Sequence, residues 1–190
     1  GATLPVSMGG LRQRWVRFMG GRRLIGPVDT IWLNMDRPEN LMVIDSVMWF
    51  DEPVDWERLK QVLQHRLVDR YPVFSQRPVD PSLGLGLPHW EDDPDFSLAH
   101  HVHHRTLPQP GNELALQRYV EQQMHHSLAR AHPLWEVHLL DGFESGSAVV
   151  MRFHHALADG IALAQVMLSL TDDTPTGDLE ESERNQEGVA

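Results

Sequence analysis

Cysteine is absent from all 190 residues, and with it go disulfides, thiolate nucleophiles and Cys-based zinc sites. The chain also lacks any apolar run near the roughly 20 residues that span a bilayer. Its best candidate, residues 156–170, is short and carries Asp159. The first residues do not read as a secretory signal, because arginines between Arg12 and Arg23 interrupt every apolar stretch there. Cations are scarce, with 16 Lys and Arg against 27 Asp and Glu and a formal net charge of -11. That balance argues against a nucleic-acid partner, whose phosphates need clustered Lys and Arg. No Gly-x-Ser-x-Gly, P-loop or His-Glu-x-x-His occurs, and Gly84-Leu85-Gly86 lacks the third glycine of a dinucleotide fingerprint. Serine hydrolase, NTPase, zincin and Rossmann readings therefore drop out. No internal repeat is visible.

What is present fits one folded domain: 41% apolar residues, six Trp, and enough length for one sizeable core. Three segments differ in composition. Residues 1–26 hold a basic block, Arg12, Arg14, Arg17, Arg22 and Arg23, without one acid. Residues 27–171 carry the periodic patterns. Residues 172–190 hold seven acids against Arg184 alone and read as an acidic, disordered linker. Within the first segment, residues 11–19 set Leu11, Trp15, Phe18 and Met19 among arginines at near-helical spacing. Two readings stand for this helix: contact with an anionic lipid surface, or packing on its own domain or a partner. The setting expected is cytoplasmic, with peripheral attachment to an inner membrane or lipid inclusions through residues 11–23 under the first reading.

Residues 41–50 form an apolar strand, broken only by Asp45-Ser46 and expected to be central. From Asp55, an N-cap candidate, Trp56, Leu59, Leu63 and Leu67 recur at helical spacing as far as Arg70. Residues 80–86 read as loop and 91–95 as an acidic turn. A second helix starts after 108–112, with Leu116, Val120, Met124 and Leu128 on its core face. Trp135, Val137 and Leu139 alternate with Glu136 and His138 as a strand, residues 142–146 turn, and 147–153 form the second arm of a hairpin. Residues 161–170 read as a closing helix. Strands alternating with helices, the last two strands paired as a hairpin, give an α/β two-layer sandwich with a mixed sheet.

The chemistry concentrates in His154-His155-Ala156-Leu157-Ala158-Asp159-Gly160, where paired imidazoles end a strand and a carboxylate follows four residues after His155. Successive strand residues point to opposite faces, so both histidines enter one cavity only if the strand has ended. One is then the base and the other structural. With no nucleophile built in beside it, the pair suits a general base that activates a substrate hydroxyl, since an imidazole is largely unprotonated at neutral pH. The competing reading is a pair of buried or capping histidines. The other histidines, above all those in residues 100–104 and His125-His126, form adjacent runs without the converging geometry a metal requires. They read as a solvated, partly stacked strand, and no metal is expected.

The pattern His-His-x-x-x-Asp-Gly resembles the signature of chloramphenicol-acetyltransferase-like, CoA-dependent acyltransferases, which include peptide condensation domains. Three further segments narrow the resemblance. Pro133-Leu134-Trp135-Glu136-Val137-His138-Leu139, Pro27-Val28-Asp29-Thr30-Ile31-Trp32-Leu33 and the stretch from His101 to Gly111 resemble, in order and spacing, the bacterial wax ester synthase/diacylglycerol acyltransferases, and most of all the actinobacterial triacylglycerol synthases. Ser75 departs from the pattern, standing where relatives usually have arginine.

The resemblance implies O-acyl transfer from long-chain acyl-CoA, as co-substrate and with no further cofactor, to diacylglycerol or a long-chain alcohol. It implies His155 as general base, His154 in support, and Asp159 and Gly160 as structural residues. Arg77, or else Arg70, is the arginine expected to hold Asp159. Pro133, Leu134 and Trp135 would pack near the site. Family enzymes are more than twice as long and have a second half, so the chain reads as an N-terminal half whose C-terminal partner completes the site. Carrier-protein-dependent acyl transfer and a non-catalytic lipid-surface domain are the alternatives.

Overall fold

A computed structural model describes residues 23–38, 40–81, 86–157, 166 and 170. Its centre is a four-stranded sheet in the order β2-β7-β6-β5, formed by β2 (Val43–Phe50), β5 (Val102–Thr106), β6 (Trp135–Phe143) and β7 (Gly146–His154). The expected hairpin is β6-β7, and β2 pairs antiparallel on its other side. β5 runs parallel to β6, which makes the sheet mixed. All nine residues of β7 are buried, as a strand with neighbours on both edges and cover on both faces should be. β2 is corrected from central to edge strand. Its residues are only half-buried, and Trp49 and Phe50 are exposed, because no strand among the described residues pairs with its outer side.

Alternation along β6 and β7 sorts two cores. Trp135, Val137, Leu139, Val149, Met151 and Phe153 share one face with Leu63 and Leu67. Leu140, Ala148 and Val150 share the other with Leu107 and Leu116. The first face is covered by α2 (Trp56–Val62), capped by Asp55, whose carboxylate accepts the Arg58 N–H at 2.7 Å. The helix continues as expected, but as a π-helical turn over Leu63–Val68. The second face is covered by α3 (Glu113–Met124), capped by Asn112, which adds a shorter helical layer to the expected α/β sandwich. Met124 is exposed rather than on the core face, and Leu128, beyond the end of α3, joins the first core instead.

A small second sheet, in the order β1-β4-β3, joins β1 (Arg23–Leu24), β3 (Gln76–Val79) and β4 (His89–Asp92). Residues 23–26, assigned from sequence to the basic N-terminal segment, are thus part of the folded body, with Ile25 buried in the core. Next comes α1 (Pro27–Met35), which periodicity did not reveal. Its local signals were Pro27 at the first helical position and Asp29 in the first turn. The basic helix of residues 11–19, the closing helix around 161–170 and the tail 172–190 lie outside the described residues, apart from Val166, helical and buried, and Leu170.

Candidate active site

β7 ends at His154, and His155–Leu157 form a 3-10 turn. The strand has therefore finished before the second histidine, and the two imidazoles have different surroundings. His154 is 1% exposed. Its backbone N–H donates to Leu134 O at 3.0 Å, and its Nδ1 accepts the Ala156 N–H at 3.0 Å. Nε2 therefore carries the proton, and it faces Asp36 Oδ2 at 3.4 Å, a long contact. Desolvation holds its pKa below 6.5. The Asp36 charge opposes that shift, while Arg130 and His155 reinforce it. A neutral, locked ring results.

His155 is only half-buried. Its backbone N–H donates to Met42 O at 2.8 Å, and its ring stacks on Trp32 at 4.7 Å between centroids and 22° between planes. Trp32 lies on α1 and Asp36 follows it. Arg130 tethers this helix by donating to Leu33 O. Trp32 and Asp36 were given no role from sequence. Trp32 stood inside the resembling segment, and Asp36 had no signal short of knowing that α1 ends beside β7.

Leu134 and Trp135 are wholly buried and Pro133 is buried with them. Trp135 Nε1 donates to Phe74 O at 2.8 Å, and the Trp135 ring packs edge-on to Phe74. These residues hold the β6 side of the corner from which His154 emerges. Arg77 lies on β3 opposite Glu91. Its charge helps lower the pKa of Asp93: burial would raise that value, but the His132 hydrogen bond, the Asp95 N–H and the charges of His132 and Arg77 outweigh it. Asp159 and Gly160 lie outside the described residues. Arg70 sits over the Tyr71 ring at 5.9 Å.

The histidine run is corrected at one position. His101 is buried, not solvated, because it is sandwiched between Phe96 and Trp135 and donates from Nδ1 to Trp135 O at 2.8 Å. A groove of about 760 Å³ opens between β2 and α2, lined by Met48, Trp49, Leu59, Val149 and Met151 among others. It touches neither histidine. Its nearest lining residue on β7, Met151, stands three residues before His154, roughly 10 Å at strand rise.

Residues 25–187 match the wax ester synthase/diacylglycerol acyltransferase catalytic domain. The chain belongs to this family. Among its relatives, a Mycobacterium tuberculosis protein named as a diacylglycerol O-acyltransferase is 32% identical over 160 residues, covering 81% of this chain and 34% of the relative. Another from that species, also named as a diacylglycerol O-acyltransferase, is 42% identical over 99 residues, 52% of this chain and 20% of the relative. The solved wax ester synthase/diacylglycerol acyltransferase of Marinobacter aquaeolei superposes with a TM-score of 0.68 at 26% identity, covering 82% of this chain and 38% of that one. The starter condensation domain of rhizomide synthetase, at 16% identity and TM-score 0.60, shares the fold alone; it covers 89% of this chain and 44% of that one. The chain thus spans about a fifth to a third of these curated relatives. Among the described residues no helix is long and apolar enough to cross a membrane.

Proposed function

We propose that this chain is the N-terminal part of an O-acyltransferase that moves a long-chain acyl group from acyl-CoA to diacylglycerol or a long-chain alcohol. The observation that carries this reading is the contrast between the two histidines. His154 is sealed and held neutral by burial, so it supports the turn, while His155 is the imidazole with an open side and a ring fixed by Trp32. His155 takes the proton of the acceptor hydroxyl as its oxygen attacks the thioester carbon. The tetrahedral adduct then expels CoA thiolate, which receives that proton from His155, and the ester remains. Acyl-CoA is the co-substrate and no cofactor takes part.

Asp159 and Gly160 serve in this reading as structural residues after the turn, with Arg77 as the partner of Asp159. Pro133, Leu134 and Trp135 serve as its packed floor. The rest of the enzyme, as a continuous or separate C-terminal half, covers the face beside His155. Support comes from α1, which leaves Val28, Ile31 and Met35 exposed along one stripe while its Trp32 packs on His155; such a stripe calls for a partner. Residues 11–23 are proposed as a lipid-surface anchor.

The test is CoA release from palmitoyl-CoA, with and without dioleoylglycerol, on the chain together with its C-terminal half. Acceptor-dependent release should fall about 10²- to 10⁴-fold in His155→Ala with the fold retained. Equal rates in the two proteins would remove His155 from the chemistry. Release that ignores the acceptor would mean thioester hydrolysis instead. Flotation with anionic vesicles, with and without residues 1–23, tests the anchor separately.

A further inference from the structure

On the sheet face beneath α3, His103 of β5 pairs directly opposite His138 of β6. Glu136 lies two residues before His138 and so on the same face. Their donor atoms all fall within 4.8 Å of one another, and His138 Nε2 is already 3.4 Å from Glu136 Oε2. Two ligands of a tetrahedral ion at about 2.0 to 2.1 Å stand about 3.3 to 3.4 Å apart, so this pair has the spacing of a coordination edge. His103, half-buried at the sheet's edge, closes the third position by side-chain rotation. We propose that His103, Glu136 and His138 bind a divalent transition-metal ion, with zinc the best match to two imidazoles and one carboxylate.

The surroundings suit a cation. Tyr119 of α3 places its hydroxyl 2.7 Å from His138 Nδ1. It can accept a hydrogen bond from Nδ1–H once Nε2 holds the metal, as an outer partner that orients a histidine ligand does. Burial, then the neighbouring His138, keeps the His103 pKa below 6.5, so its ring is neutral and able to ligate. Burial would raise the pKa of Glu136, but the His138 hydrogen bond and the charges of His138, Arg152 and His103 outweigh it, leaving an ionised carboxylate. Arg152 lies 3.3 Å from Glu136 and also pairs with Asp45 at 2.9 Å. These three charges sum to about minus one and Arg105, whose charge acts on His103 and Tyr119, offsets it, so the ion is held by its three ligand atoms rather than by an excess of negative charge. The ion would clamp the parallel edge strand β5 to β6 and, through Tyr119, to α3. The site shares no residue with the pair at the end of β7. Sequence reading set metals aside because adjacent histidines do not converge; the parallel pairing brings one of them against a Glu-x-His on the next strand.

The experiment is a titration of the full chain, freed of any affinity tag, with cobalt(II) alone. One cobalt per chain is expected, with the strong visible absorption of a four- or five-coordinate ion, bleached by added zinc. His103→Ala should weaken cobalt affinity by at least about tenfold, and Tyr119→Phe, which deletes only a hydroxyl, by about 10- to 100-fold. His100→Ala, at an exposed position of the same run, should change nothing. Circular dichroism of the metal-free variants establishes that each is folded. Absence of the cobalt spectrum in the wild-type chain overturns the proposal, as does equal affinity in wild type and folded Tyr119→Phe.

Discussion

Asp36 Oδ2 stands 3.4 Å from His154 Nε2, while Asp36 Oδ1 accepts the Met42 N–H at 2.9 Å. One carboxylate thus ties the entry to β2 to the buried histidine at the end of β7, and Met42 O in turn accepts the His155 N–H. Asp36→Ala leaves the Met42 N–H and a buried ring N–H without their neighbour. A loss of about 1 to 3 kcal/mol follows for an orphaned buried donor, to be read as a shift in the urea midpoint. Turnover should fall as well, because the carbonyl of the same residue, Met42, positions His155. An Asp36→Ala protein of unchanged stability would reduce this contact to proximity.

Trp32 is expected to act on rate more than on folding. Ring stacking of this kind contributes about 0.5 to 1.5 kcal/mol. If that energy holds His155 in its reactive orientation, Trp32→Ala lowers acceptor-dependent turnover by roughly 2- to 10-fold. Trp32→Phe, which keeps a stacking face, should recover most of it. Comparing kcat of the two variants checks this, and equal losses would point to packing volume instead of stacking.

Arg152 is fully buried on β7, between Asp45 of β2 and Glu136 of β6, and donates to His126 O at 2.7 Å. Breaking one arm of such a pair leaves an uncompensated charge in the interior, which costs about 3 to 5 kcal/mol. Asp45→Ala should therefore be among the most damaging substitutions in β2, visible as a large drop in thermal midpoint. A change under about 1 kcal/mol, as for an exposed pair, would show that water reaches Arg152.

Much of this arrangement was legible in the sequence, because it rests on local signals. Asp55 and the Pro- and Gly-bearing stretch 108–112 announced helix starts, the alternation from Trp135 to Leu139 announced a strand, and the glycine-rich turn announced the hairpin. What escaped depended on pairing partners. Nothing local says that the apolar residues 41–50 lie at an edge, since that follows from which strand β7 accepts on its free side. α1 escaped because a nine-residue helix that leaves Val28, Ile31 and Met35 exposed shows no clean apolar face. Asp36 escaped with it. The histidine pair was visible as a motif, but only burial separates His154 from His155, and burial is a property of the assembled corner. The metal-ligand set was invisible for the same reason, as His103 and His138 are 35 positions apart in the chain and meet only through β5-β6 register.

The buried imidazoles set how stability depends on acid. Desolvation is the leading cause that holds His101, His103 and His154 below 6.5 in the folded chain. Above about 6.5, folded and unfolded states both carry them neutral and their contribution is complete. As pH falls past that value the unfolded chain takes up protons that the folded chain refuses. Stability then declines by up to about 1.4 kcal/mol per pH unit for each histidine, until the folded values are passed. Urea midpoints measured from about pH 8 to about pH 5 with EDTA present, so that metal release adds no slope, should be flat at first and then fall. His101→Phe keeps a ring between Phe96 and Trp135 and should reduce that slope by one of the three contributions. A midpoint that stays level down to pH 5, or rises, would mean that these rings take up protons in the folded state without penalty, and would also remove the argument that His154 is held neutral beside His155.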